Sequence, residues 1–427
     1  MLADSSVVTL ALPDVLRQFD TTVFGVSWVL TAFNLVLAVA VLPAARLARG
    51  RPARVWAVGL AAFAAASLVC AVADSIAVLI AARCAQAFGG AAVIGGAIEL
   101  LARAAGSHRA GAARWGTAGL AGLALGPAFG GLLTETLSWE SIFAIQVPVV
   151  LAVAAARAPL PGPVEPGLAA PLDLRPEIAL ALLSAGLTGA LFLLVVMLTE
   201  GWLFSPLEAA AVVSVMPAAT LGARLAARRL GDDRPVVAAG AVCMAGGLAA
   251  LGLLPEAGAG WTVAPQLLVG AGIALALPGL TERALAGRDP GGHRAAGTIA
   301  ARHAGIVLGI LALTPVLSGE LDSERDAAQR SGTALLLDAP LSPETKIDLG
   351  AAIGEQIGAA DGRLPDVSLA FDEVEPPADS GEQFAALEED LTSEVDKAAT
   401  HAFSLPFLLA GAIAALALLP VYIGRPW

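Results

Sequence analysis

The chain has 427 residues, 57% of them hydrophobic and 15% charged, with a mean hydropathy of +0.76. This composition excludes an ordinary soluble globular protein and reads as a polytopic membrane protein. The net charge of −12 is localised: from Glu320 to Lys397 twenty acids face five bases, so the rest of the chain is weakly positive.

Apolar runs of spanning length between charged punctuation predict twelve transmembrane helices, at 2–17, 24–45, 54–73, 76–102, 112–133, 140–157, 177–199, 206–227, 235–254, 261–284, 295–318 and 403–423. The chain opens without a basic n-region or a small-residue cleavage site, so it does not begin as a secretory signal peptide. Only three residues precede Asp4, and a full first span predicts a start upstream of Met1. Arginines cluster in the turns after spans 2, 4, 6, 8 and 10, whereas Asp74, Glu135, Glu140, Glu200, Glu208 and Glu256 mark the opposite side. The positive-inside rule then places both termini in the cytoplasm. An Arg-, Ala- and Gly-rich composition with lysine only at 346 and 397 points to a high-GC bacterium, and so to its plasma membrane. The seven tryptophans fall near span ends and read as an interfacial belt. Cys70, Cys84 and Cys243 lie in apolar runs and read as small buried hydrophobes.

The Pro-rich stretch 158–176 reads as a cytoplasmic linker between a first half, 1–157, and a second half, 177–318 with 403–427. Spans 2 and 8 both place a proline before an Arg-rich turn, a faint repeat that supports two related six-helix bundles around a central site. Residues 319–402 form an acidic extracytoplasmic loop longer than a connection requires. Ser342-Pro343 predicts a helix start there, and Ser380 with Gln383 predicts a capping box for a second helix. DEVEPPADSG between them reads as flexible.

Span 5 carries WGTAGLAGLALGPAFGGLL. Gly122, Gly126 and Gly130 recur every four residues and form a bare ridge, with Pro127 and Gly131 beside it. In a bilayer this spacing lets a neighbouring helix approach backbone to backbone. Ionisable residues inside spans are the leading functional candidates, because each is expensive to place in hydrocarbon. Asp4 lies nine residues before Pro13, read as the outer end of span 1, and Arg83 nine residues after Asp74. Both are therefore expected about 13 Å deep. A carboxylate that protonates against a fixed guanidinium suits proton coupling; a purely structural pair is the alternative. Gln86 stands one helical turn from Arg83. Arg302 and His303 lie within span 11 and point about 100° apart, so both cannot face a cavity squarely; one of them is expected to line it, with helix packing as the alternative. Glu99 and Glu282 read as ion pairs near the ends of their spans, and Thr31 and Asn34 as candidates for interhelical hydrogen bonds or plain packing.

The span 5 string resembles the G-x3-G-P-x2-G-G motif of the drug:proton antiporters of the major facilitator superfamily. SSVVTLALP, WVLTAF, LIAARCAQAFGGAA and SWESIFAIQVP look like further motifs of that family in the same order, and SPLEAAAVVSVMP and AAGTIAARHAGIVLG resemble it more loosely. The resemblance implies a close contact of span 5 with the second half that limits proton leak. It also associates Asp4 and Arg83 with the proton pathway. Departures are Arg49 where the family has an aspartate that latches the cytoplasmic gate, Ala45 and Pro52 at its glycines, Ala87 after Gln86, and Gln146 in place of an asparagine.

The fold expected is thus all-α and of the major facilitator type, with two six-helix bundles and a partly helical outer loop. The function expected is proton-coupled efflux of small amphipathic compounds by alternating access. It is not an enzyme and needs no cofactor beyond the proton gradient; its partners are a small-molecule substrate, protons and the bilayer. No basic patch interleaved with aromatics speaks for nucleic acid. The alternative is a relative that does not transport and whose acidic outer loop binds an extracytoplasmic partner or senses a ligand.

Overall fold

A computed structural model describes residues 2–155, 162, 173–227, 230–231, 233–285, 293–359, 366–374 and 380–423, excepting the side chains of 2–6, 108–109, 112–113, 117, 120, 123–124, 293 and 359. The described chain is helical throughout. The first six expected spans appear as α1 (Leu2–Gln18), α2 (Val23–Ala48), α3 (Pro52–Ala71), α4 (Ile76–Ala105), α5 (His108–Thr136) and the broken pair α6 (Ser141–Ala144) and α7 (Gln146–Ala155). The rest are α8 (Arg175–Val196), which runs into a π-helical turn at Met197–Gly201, then α9 (Pro206–Val213) with α10 (Val215–Ala226), α11 (Arg234–Leu251), α12 (Ala259–Leu285), α13 (His293–Asp338) and the pair α17 (Ser404–Ala415) and α18 (Leu418–Tyr422). Nine helical stretches among the described residues are long and apolar enough to cross a membrane. α1, α5 and the α6–α7 pair answer the other three expected spans.

The turns follow local chemistry. Thr22, Ser75 and Ser107 each accept a hydrogen bond from the third residue of their helix, at 3.0, 3.4 and 3.1 Å. Ser205 and Glu208 form a reciprocal capping box. Gly106, at φ +74°, ends α4 in the left-handed region that favours glycine.

Four expectations are corrected. Pro13 lies inside α1, which continues to Gln18, so Asp4 stands fourteen residues from that end rather than nine. Trp139 and Trp202 are core residues, 3% and 8% exposed, rather than belt residues. Trp139 packs edge-on between Phe19 and Phe143 with ring centroids 5.8 and 6.1 Å away, and donates to Gln18. Ser380 makes no side-chain cap at its helix, although the helix itself forms. The last correction concerns span 11. It was expected to stop at 318, yet α13 continues unbroken to Asp338, 46 residues in all.

The polar part of α13 pairs with α16 (Gly381–His401), and α14 (Pro343–Ala359) and α15 (Ser368–Glu373) close a small subdomain over them. The Ser342 cap accepts from Thr345 N at 3.1 Å, as its sequence predicts. Leu341, Leu349, Ala352, Phe371, Phe384, Leu387 and Leu391 form a core separate from that of the spans, with Phe371 and Phe384 rings 5.0 Å apart edge to face. Of the stretch expected to be flexible, 372–381, residues 375–379 lie outside those described, while Asp372 and Glu373 end α15 and Gly381 begins α16. Truncating Phe384 to alanine should destabilise this subdomain by about 3–5 kcal/mol. Amide hydrogen exchange should then quicken across α14 and α15 while the spans keep their protection.

Asp396, on α16, is partly buried, and burial raises its carboxyl pKa above the ordinary value. The folded form therefore favours the protonated acid. The penalty is absent when both states are protonated, and it grows as pH rises through the unfolded and then the folded value. Asp396→Asn should accordingly raise the melting temperature at neutral pH and change nothing in strong acid; thermal scans from acid to neutral pH check both limits.

Candidate functional site

Two polar constellations lie among the spans. The first centres on Arg83, on the second turn of α4 and wholly buried. Its Nε donates to the Val29 carbonyl of α2 at 3.4 Å, and another guanidinium nitrogen donates to Gln86 Oε1. The guanidinium lies 4.0 Å from the Phe33 ring centroid and 5.6 Å from that of Phe143. Cation–π contact with two rings and hydrogen bonding from a planar fork are what arginine provides and lysine does not. Because arginine only donates, it fixes the Gln86 amide with oxygen toward Arg83. The Gln86 nitrogen then donates to Ser67 Oγ at 2.8 Å and to Gln146 Oε1 at 2.7 Å. Ser67 in turn donates to the Phe63 carbonyl at 2.7 Å. A buried polar chain thus runs from α4 to α3 and α7, its members hydrogen-bonded to one another.

Arg83 and Gln86 are both candidates from the sequence, and the structure joins them. Ser67 was missed, although it is the lone hydroxyl in FAAASLVCA. Asp4 lies in α1, and its side chain is outside those described.

The second constellation joins the first six spans to the last six. His303 Nδ1 lies 2.6 Å from Asn34 Oδ1, while Asn34 Nδ2 donates to the Leu30 carbonyl at 2.8 Å. The Asn34 oxygen is therefore the acceptor, and His303 carries its proton on Nδ1. Arg302, its neighbour, is partly exposed and turns about 100° away. α13 reaches this place because Gly305 and Gly309 lie against the backbone of α8: a Cβ on either would collide with the carbonyl of Ala181 or Ala185.

The glycine ridge of α5 has an equivalent use. A Cβ at Gly130 would stand 2.9 Å from the Val7 carbonyl of α1, and one at Gly131 would stand 2.7 Å from the Pro206 carbonyl of α9. α5 is thus held between α1 and the last six spans, with Gly126 and Pro127 also buried and Gly122 partly so. Gly131→Val should loosen this contact and raise passive proton leak in proteoliposomes several-fold; a leak equal to wild type would refute that role.

At the acidic end, Arg17 of α1 donates to Glu200 of the π-helical turn at 3.2 Å and also binds Asp14. Trp202 next to that turn donates to Thr400 of α16 at 3.1 Å, so the subdomain is pinned to the same corner. Glu99 and Arg103, expected to pair, do so at 3.2 Å. Among the described residues no group of histidine, cysteine and carboxylate side chains is placed to hold a metal ion.

Comparison with known proteins agrees with this architecture. The chain is 36% identical over 150 residues to the multidrug resistance protein Stp of Mycobacterium tuberculosis, covering 34% of this chain and 28% of that protein. It is 38% identical over 155 residues to the cephamycin export protein CmcT of Amycolatopsis lactamdurans, covering 35% and 32%. The chain thus matches only about a third of the length of these relatives. A crystal structure of a bacterial homologue of the human lysosomal transporter Spinster, inward-facing and unoccupied, superposes with a TM-score of 0.61 at 15% identity, covering 100% of this chain and 95% of that one. At that identity the likeness concerns the fold alone. Residues 1–314 match the profile of the Major Facilitator Superfamily, whose members are transporters rather than enzymes. The chain is a multi-pass membrane protein and belongs to the Major Facilitator Superfamily.

Proposed function

We propose that the protein exports small amphipathic compounds in exchange for protons, by alternating access between residues 1–157 and the half formed by 177–318 with 403–427, joined through 158–176. The observation that carries this reading is the buried chain Arg83–Gln86–Gln146, a fixed positive charge whose satisfied hydrogen bonds hold it at one place inside the spans. A fixed positive charge of this kind can serve as the counter-charge of a proton-carrying carboxylate. Asp4 is assigned that part. The export relatives, the glycine packing of α5 and the His303–Asn34 link between the halves support the reading. The arginine-rich turns are placed in the cytoplasm with both termini, in a bacterial plasma membrane, and residues 319–402 outside. Contact between Arg17 and Glu200 then ties α1 to the π-helical turn at the outer face.

The test is substrate-driven proton movement in proteoliposomes, screened over lipophilic compounds of either charge, with wild type beside Asp4→Asn. Compound-dependent flux that vanishes in the variant is expected. A folded wild type that moves no protons with any compound would favour the second reading, a non-transporting relative whose outer subdomain binds a partner. The separate hydrophobic core of that subdomain is the observation in its favour.

A further inference from the structure

We propose that the turn between α2 and α3 holds an anionic phospholipid with two phosphates, of the cardiolipin class, against the outside of the spans. The inference goes beyond the transport reading and holds whether or not the protein moves a substrate.

The turn is short and basic. Between Ala48, the last residue of α2, and Pro52, the first of α3, stand Arg49, Gly50 and Arg51, with Arg46 on the last turn of α2 and Arg54 on the first of α3. All four arginines are exposed, and among the described residues none of them has an ion pair or a side-chain hydrogen bond. Both arms of the turn are fixed by α4. A Cβ at Gly95 would stand 2.8 Å from the backbone of Ala44 and Ala45, and one at Gly96 would stand 2.8 Å from the Pro52 carbonyl. Adjacent glycines thus draw the ends of α2 and α3 to one level, and the arginines are displayed together before anything binds.

The carboxylates of this end of the spans do not balance them. α4, α7 and α13, which pack on α2 or α3, bring one acid here, Glu99, which lies one turn beyond Gly95 and is held by Arg103 at 3.2 Å. Asp4, fourteen residues from the outer end of α1, is level with Leu37 of α2, nine residues short of Arg46. Asp173, Glu177, Asp233 and Glu282 lie on or beside α8, α11 and α12, which pack on neither helix. The patch therefore sets five arginines, Arg103 included, against one glutamate.

What the patch fits is set by the surface above it. On α2, Val39, Pro43, Arg46 and Leu47 share one exposed stripe, and on α3, Arg54, Val58, Ala61 and Ala65 share another. Leu47 and Val58 are 72% and 68% exposed, so neither is covered by a neighbouring helix. Each stripe is apolar along its length and ends in an arginine, the pattern that suits an acyl chain with a phosphate at its foot. The arginines also form two pairs at a spacing of three, Arg46 with Arg49 and Arg51 with Arg54, one on either side of Gly50. Like charges at that spacing repel, and an anion between them removes the repulsion. An arginine fork matches the oxygens of a phosphate diester. Two pairs, each at the foot of its own stripe, suit one lipid with two phosphatidyl arms better than two separate lipids, because the second arm docks without a second loss of translational freedom.

The test titrates the full chain, in a neutral detergent, with tetraoleoyl cardiolipin, dioleoyl phosphatidylglycerol or inorganic phosphate, and counts retained molecules by native mass spectrometry. Wild type should keep one cardiolipin about tenfold more tightly than phosphatidylglycerol offered at the same phosphate concentration. Arg46→Gln and Arg54→Gln should each weaken cardiolipin about fivefold, and the double variant about twentyfold or more, as removal of one and two basic groups from a headgroup site implies. Cardiolipin should also raise the melting temperature of wild type but not that of the double variant, whose own unfolding transition shows that it is folded. Arg224→Gln, on α10 at the same end of the spans, should bind as wild type does. Equal retention by the folded double variant, or an equal loss in Arg224→Gln, overturns the proposal, because attraction is then spread over the whole basic face. Equal affinity for phosphatidylglycerol overturns the two-phosphate lipid, and displacement by inorganic phosphate overturns the lipid altogether in favour of a free anion.

Discussion

Arg83→Gln is expected to lower substrate-driven proton flux by about a hundredfold or more, while Arg83→Lys keeps a small fraction. The guanidinium is wholly buried, touches the ring of Phe33, and donates both to Val29 on α2 and to Gln86 on its own helix. Glutamine leaves the Gln86 oxygen without its charged donor and removes the fixed counter-charge that the proposed coupling assigns to Asp4. Lysine restores the charge as a single point, but cannot serve two helices and an aromatic face at once. The measurement is flux per folded molecule in proteoliposomes, with melting temperature as the control for folding. Wild-type flux in a folded Arg83→Gln protein would remove Arg83 from the coupling pathway.

The second large effect is expected at Gly309, and it is structural. Any Cβ there collides with the carbonyl of Ala185, so Gly309→Leu must push α13 off α8. Overpacking of a well-packed site is worth on the order of 1–3 kcal/mol when neighbours can shift, and more when the obstacle is backbone. The expected result is loss of the monodisperse species in detergent or a large fall in melting temperature. Ala312→Leu, three residues on and exposed, provides the comparison and should behave as wild type. A silent Gly309→Leu would show that the two helices are not held by backbone contact.

The helical spans are legible in the sequence because hydrocarbon imposes a length and a composition on each of them. The same criterion concealed the outer half of α13. ELDSERDAAQR is too polar for a membrane and therefore reads as loop, yet helix formation needs only residues of adequate propensity and no proline, and none intervenes between Pro315 and Pro340. Trp139 and Trp202 were misplaced for a related reason. Position near a span end predicts an interface, whereas a neighbouring helix end had covered them. Within the site, Arg83 and Gln86 share a helix at a spacing of three, so their contact follows from periodicity. The bond between His303 and Asn34 joins residues 269 apart and required the fold to bring α13 against α2. Ser67 and Gln146 meet in the same way across α3 and α7.

The unbroken course of α13 carries a mechanical consequence. About twenty residues of this helix, some 30 Å, project beyond the expected end of its span at 318 and carry the acidic subdomain at their tip. A tilt of a few degrees where His303 and Gly309 sit becomes a displacement of a few ångströms at Ile347, which is 71% exposed near that tip. The subdomain therefore acts as the long arm of a lever whose short arm lies among the spans. A spin label or fluorophore at residue 347 would report, from outside the bilayer, the angle of a helix that is otherwise buried within it.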